Sequence, residues 1–297
     1  MTIVNPGQRI EKIVLNLSNL PSLPFIANKI IEVAESKTSA AKDIAEIIAI
    51  DQSLTAKLLK LVNSSFYGFS SKIATVSRAV VVLGFQTVKT LALGVTVFKT
   101  ASKMQGDKVC LDMEKFWEHS VGVAAGAKLL AELTGYVMTE EAFLAGLLHD
   151  IGKIIFNQYL PDEFSKALYL AKTNNIPLLL AEREIIKADH EVAGDYLAER
   201  WKIPYNLRIA VSRHHNPPFR EEHIAPDVLK LTCIVSLSNT LCKMRKIGYS
   251  GNDQVTAKEE AVMHWLNIGE KEINRFFMQI DSELEKAKEF LGILNES

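Results

Sequence analysis

The apolar residues of this chain recur at three- and four-residue steps along almost its whole length. No segment shows four or more residues of clean apolar and polar alternation between turn signals, so the pattern specifies an all-α fold. Prolines mark several helix starts, because a first-turn residue has no intrahelical partner for the missing N–H. Pro24, Pro161, Pro177, Pro204 and Pro226 each precede an apolar-periodic run. Thr38 or Ser39 is placed to cap a run over 40–50, Asp51 one over 54–62 and Thr75 one over 77–83, with Gly68 and Gly84 as punctuation.

The most polar connector of the first half, residues 102–112, divides the chain. We expect an N-terminal helical subdomain over 1–108, a second over 109–248 and a C-terminal helical extension over 249–297. In the second, helices are predicted at 113–134, 139–150, 161–173, 177–187, 190–201, 204–213 and 226–246. The extension repeats apolar residues at helical spacing among charges, a face for packing onto the same chain or onto a partner.

Composition narrows the function classes. With 34 Lys plus Arg against 35 Asp plus Glu, the formal net charge is -1, and no global positive field exists to hold nucleic acid. Cys110, Cys233 and Cys242 are odd in number, widely spread and without a CxxC pair, as expected of reduced thiols in a cytoplasmic protein and not of a zinc–cysteine cluster. Residues 1–12 lack the apolar core of a signal peptide. The most apolar stretch, 79–98, is interrupted by Gln86, Lys89 and two glycines; it falls short of a membrane span and reads as a buried helix pair.

Five of the seven histidines lie in one window with an aspartate beside them: His119 in FWEHS, His149 and Asp150 in LLHDIGK, His190 in ADHEVAG, and His214 and His215 in SRHHNPP. Imidazoles with a carboxylate are the ligand set of zinc, iron and manganese. Neighbouring residues on a helix point about 100° apart, yet at a helix end both can lean toward one centre. His149 and Asp150 close a helix before Gly152, read as a C-terminal break. His214 and His215 end another before Pro217, and His190 follows Asp189, a natural N-cap.

This order of His119, HD, His190 and HH resembles the HD superfamily of metal-dependent phosphohydrolases. The segment 20–69 and the stretch AVVVLGFQTVKTLAL resemble the N-terminal half of the HDOD family, the HD-related output domains of bacterial signalling. The likeness covers about Leu20 to Lys246. It implies an N-terminal helical bundle packed with a degenerate HD-type domain, a divalent metal (iron, manganese or zinc) on His119, His149, Asp150, His190, His214 and His215, and a signalling protein partner in trans. A nucleotide ligand is a further implication, whereas no membrane or nucleic-acid partner is implied.

Two departures set the functional expectation. Catalytic HD hydrolases supply a late aspartate ligand, and the matching segment IVSLSNTLCK offers Asn239 instead. The cyclic di-GMP phosphodiesterase branch needs a GYP segment after its HH pair, and HHNPPFREEH follows here. The expectation is therefore a regulatory protein with an inactive pocket. The alternative is a phosphohydrolase acting on a nucleotide or phosphorylated metabolite, with Asp150 on the metal and Lys153 on the phosphate. Lys153 has an equal claim to a structural pairing with a nearby acid. Asn63 and Ser64 read as turn-stabilising, Trp117 as core, and His223 and His264 as solvent-facing.

Overall fold

A computed structural model describes residues 22–35, 41–69, 71–104, 110–221, 223–254 and 259–296; the proposed caps Thr38 and Ser39 lie outside them. Every regular element among the described residues is a helix. By contact the described residues form two compact units, one within 22–103 together with 279–296 and the other within 104–278. The last helix begins in one unit and ends in the other.

In the first unit, α1 (Phe25–Glu35), α2 (Ala41–Ile50), α3 (Gln52–Val62), α4 (Val76–Leu83) and α5 (Phe85–Ser102) enclose Ile30, Ile44, Ile48, Leu58, Leu61 and Phe98. Asp51 caps α3 by accepting the Leu54 N–H at 2.9 Å, and Thr75 caps α4 by accepting that of Arg78 at 3.1 Å. Gly84 joins α4 to α5 at φ +88°, a left-handed conformation that favours glycine. The apolar stretch 79–98 is not buried throughout. The helix α4 packs with Val76, Ala79 and Val80 while Val81 is 73% exposed, because a short surface helix buries only one stripe. Asn63 holds a turn by bonding the Leu59 and Ile73 carbonyls at 2.7 and 2.8 Å and accepting the Ile73 N–H.

The second unit contains α6 (Met113–Thr134), α7 (Thr139–Leu148), α8 (Gly152–Tyr159), α9 (Pro161–Asn174), α10 (Leu178–Ile185), α11 (His190–Arg200), α12 (Tyr205–Arg213), α13 (Pro226–Met244), α14 (Glu259–Leu266) and the start of α15 (Glu270–Asn295). Its centre is α6, buried on most of its circumference against α7 and α13. A Cβ on Gly146 would stand 2.7 Å from the Val123 carbonyl, so its absence lets α7 lie directly on α6. Trp117 is in the core, as its sequence context predicts.

Gly152 corrects one expectation. It is not a C-terminal break but the first residue of α8, a helix missing from the predicted set. A Cβ there would lie 2.0 Å from the His190 carbonyl and 2.6 Å from the Gly194 amide, so this glycine permits the close crossing of α8 and α11. That crossing is what brings the LLHDIGK segment against His190.

Candidate metal centre

Four helices of the second unit deliver the six predicted side chains to one place. His119 lies in the second turn of α6, His149 is the C-cap of α7 and Asp150 follows it. His190 opens α11 behind Asp189, which accepts the Val192 N–H at 3.0 Å. His214 is the C-cap of α12, with His215 next in the chain. All are buried except His215, which is partly exposed. From Asp150 Oδ1, His190 Nε2 is 3.4 Å and His214 Nε2 3.6 Å away; His149 Nε2 is 3.3 Å from Asp150 Oδ2, and His215 Nε2 is 3.1 Å from His190 Nε2. His223 and His264 face solvent, away from the cluster.

The rings are aimed by acceptors behind them. Nδ1 faces the Ile247 carbonyl in His119 (3.0 Å), the Gly146 carbonyl in His149 (2.7 Å), the Val211 carbonyl in His214 (2.9 Å) and the Glu182 carboxyl in His190 (2.6 Å). In His149, His190 and His214 the acceptor at Nδ1 fixes the ring proton there and turns the Nε2 lone pair inward, the arrangement that outer-shell partners give metal-binding histidines, whereas in His119 both nitrogens face protein groups. Three inward atoms, His149 Nε2, His214 Nε2 and Asp150 Oδ1, are buried with no hydrogen-bond partner. A buried polar atom left so costs about 1–3 kcal/mol.

A divalent metal fits these residues. Two sets of ligand atoms lie within 4.8 Å of one another, Asp150 with His190, His214 and His215, and Asp150 with His119 and His149. Metal–ligand bonds of about 2.0–2.2 Å in a tetrahedron place neighbouring ligand atoms about 3.3–3.6 Å apart. The separations of 3.4 and 3.6 Å around Asp150 Oδ1 match that spacing.

Protonation suits the same role. Burial pushes His119 down to about 3, aided by His149, and lowers His149, His190 and His215 as well, keeping these imidazoles uncharged. Burial alone would raise Asp150, but His149 and Lys153 outweigh it and hold the carboxylate well below its usual range. Lys153 is itself buried, donating to Asp150 Oδ2 at 2.6 Å, the Ser250 carbonyl at 3.0 Å and the Ser250 hydroxyl at 3.2 Å. The Asn239 amide lies 3.1 Å from His119 Nε2.

Sequence reasoning missed the outer residues. Glu182, fully buried, accepts both the His190 ring proton and its backbone N–H (3.0 Å), and Glu191 accepts the His215 N–H at 2.8 Å. Burial raises both acids, Glu191 to about 7. Glu182 had a readable signal: in LLLAEREI it shares the helix face of Leu178, Leu179 and Ala181, an acid on an apolar stripe. Ser250 had none. Cys233 and Cys242 are buried free thiols pushed up to about 12, away from reactive thiolate chemistry.

The HDOD domain family model matches residues 20–217. An uncharacterized protein of Treponema pallidum (strain Nichols) is 26% identical over 211 residues, 71% of this chain and 40% of its own length, so the chain spans about two fifths of that curated relative. Among solved structures, an HDOD domain protein with unknown function from Geobacter sulfurreducens superposes with a TM-score of 0.79 at 24% identity, covering 96% of this chain and 98% of its own. A candidate signal transduction protein from Marinobacter aquaeolei VT8 gives 0.75 at 21%, over 98% and 66%. A candidate phosphohydrolase from Shewanella amazonensis SB2B gives 0.70 at 23%, over 95% and 97%. At these identities the likenesses show the fold alone. No helix among the described residues is long and apolar enough to cross a membrane.

Proposed function

Because the chain belongs to the HDOD domain family, we propose that it is a bacterial cytoplasmic signal-transduction protein that works through a protein partner in trans. Its HD-like pocket binds a divalent metal, iron, manganese or zinc, without hydrolysing phosphoesters. The ligands are drawn from His119, His149, Asp150, His190, His214 and His215, and a nucleotide is the small-molecule class that the family resemblance suggests as a second ligand.

The observation that carries this reading is the neutral amide of Asn239 against His119 Nε2, at the position where the resemblance to catalytic HD hydrolases implies a carboxylate. A metal bound in the pocket would polarise a phosphoryl oxygen and lower the pKa of a bound water. This chain's own residues serve binding more than turnover. Glu182 holds the His190 ring, Glu191 holds the His215 backbone, and the ammonium of Lys153 is directed at Asp150 and Ser250 instead of at a substrate phosphate. Bound metal would tie the end of α7 to the start of α11 and the end of α12, so occupancy bears on how those helices are held together.

The second reading, a phosphohydrolase acting on a nucleotide or phosphorylated metabolite, is favoured by the ionised Asp150 with its unpartnered Oδ1. The deciding experiment supplies purified protein with manganese, iron or zinc and screens cyclic di-GMP and simple phosphoesters. The expected result is no turnover of the dinucleotide and at most a trace with the others. Robust hydrolysis that disappears in Asp150→Ala establishes the phosphohydrolase.

A further inference from the structure

We infer that the centre holds a single divalent cation, in the half formed by His190, His214, His215 and Asp150 Oδ1, and that Lys153 and Asn239 close the other half. The inference rests on the metal-binding reading above and assigns its stoichiometry and place.

The two sets of ligand atoms share Asp150, with His190 and His214 nearest its Oδ1 and His149 nearest its Oδ2. On the Oδ1 side no ligand atom is engaged by a hydrogen bond from outside the set. Asp150 Oδ1 and His214 Nε2 have no hydrogen-bond partner, and His214 keeps its ring proton on Nδ1 against the Val211 carbonyl. His190 Nδ1 faces the Glu182 carboxyl at 2.6 Å; with the ring proton on Nδ1 its Nε2 presents a lone pair, and His215 Nε2 stands 3.1 Å away. Two imidazole nitrogens facing each other over that distance can share one proton or one cation. Partial exposure of His215 leaves this side open for an ion to arrive.

On the Oδ2 side the groups are already taken. The Lys153 ammonium sits 2.6 Å from Oδ2 and is held there by the Ser250 carbonyl and hydroxyl, all within the buried interior. It is a covalently tethered cation on the oxygen that a second metal would use. His119 is closed as well. Its Nδ1 faces the Ile247 carbonyl, which only accepts, and its Nε2 faces the Asn239 amide. If the Nδ1 proton goes to Ile247, the amide must turn its NH2 toward Nε2. If the proton sits on Nε2, it goes to the amide oxygen. Either arrangement removes the Nε2 lone pair from metal binding. His149 Nε2 is then the one unengaged nitrogen of that half, and one imidazole does not hold a divalent ion against a neighbouring ammonium.

The test uses the full metal-free chain, loaded with zinc or manganese, freed of excess ion and analysed for metal per chain. One equivalent is expected, and two would overturn the inference while leaving the metal-binding reading intact. No binding of either ion by folded protein would remove that reading, and the inference with it. His215→Ala should weaken zinc at least tenfold; unchanged affinity would place the ion in the other half and overturn the assignment. The double variant Lys153→Met with Asn239→Asp should take up two equivalents, and a single one would refute the roles given to those residues. Should any variant lose its helical signal, zinc X-ray absorption on the unmodified chain decides alone. Three imidazole nitrogens are expected, and a spectrum with two or fewer contradicts the proposed half.

Discussion

The two units bury their polar groups differently. In the unit built on residues 22–103, the buried Thr96, Thr100 and Lys57 side chains find carbonyl partners within the unit. The Thr96 and Thr100 hydroxyls donate to carbonyls one helical turn back, and Lys57 reaches the Leu294 carbonyl at 2.7 Å and that of Glu296. In the unit built on 104–278, the buried side-chain atoms without partners accumulate, and His149, Asp150, Glu182 and His214 each contribute one. All seven histidines of the sequence fall in this second unit. One region is packed for stability; the other tolerates unsatisfied groups whose cost makes sense when a ligand completes them.

Breaking the first region should cost packing energy alone. Phe98→Ala, removing a ring that is 1% exposed in α5, is expected to destabilise by about 3–5 kcal/mol in denaturant unfolding. Metal affinity of the still-folded fraction should not change. A comparable effect of different origin is expected in the second region. Lys153→Met leaves the Asp150 carboxylate without its cation, a loss of about 3–5 kcal/mol for a broken buried pair. Unlike the Phe98 defect, this one should shrink when zinc is added.

Acid should separate the regions further. His119, His149, His190 and His215 have folded-state values lowered from about 6.5. As pH falls below about 6.5, the unfolded chain gains protons there that the folded chain refuses, so stability drops until the folded values are reached, about 3 for His119. Glu182 and Glu191 are raised and act in the opposite sense, but they are two against four. The melting temperature of metal-free protein should therefore fall from pH 7 to pH 5. Hydrogen exchange should place the loss first in α7, α11 and α12; a loss confined to the histidine-free unit would contradict the comparison. The smallest effect is a capping one: Asp51→Ala should cost about 1 kcal/mol, measured by thermal unfolding, and leave the centre untouched.

Legibility in the sequence followed the range of the interactions. Capping is local, so Asp51, Thr75, Asp189 and the helix-opening prolines could be read directly, and the limits of α6 fell where periodicity placed them. The convergence of the six candidate ligands was readable from helix-end placement together with family order. What escaped was long-range. Gly152 looks like a terminator until α11 is brought against it, and only the fold gives it the neighbours that require a bare backbone. Ser250 lies 97 residues from Lys153, and no local pattern announces that bond. Likewise, Val81 belongs to an apolar run but faces outward, since periodicity gives the stripe and not its partner.

The most direct test of this contrast is calorimetric unfolding of the metal-free chain with and without zinc or manganese. A cation that completes the unpartnered atoms of the histidine centre stabilises the folded state by about 2.7 kcal/mol at a hundredfold excess over its dissociation constant. The melting temperature should accordingly climb with metal concentration, and the climb should vanish in a variant carrying both His214→Ala and Asp150→Ala. A melting temperature indifferent to metal, or a rise that survives in that variant, would contradict the account.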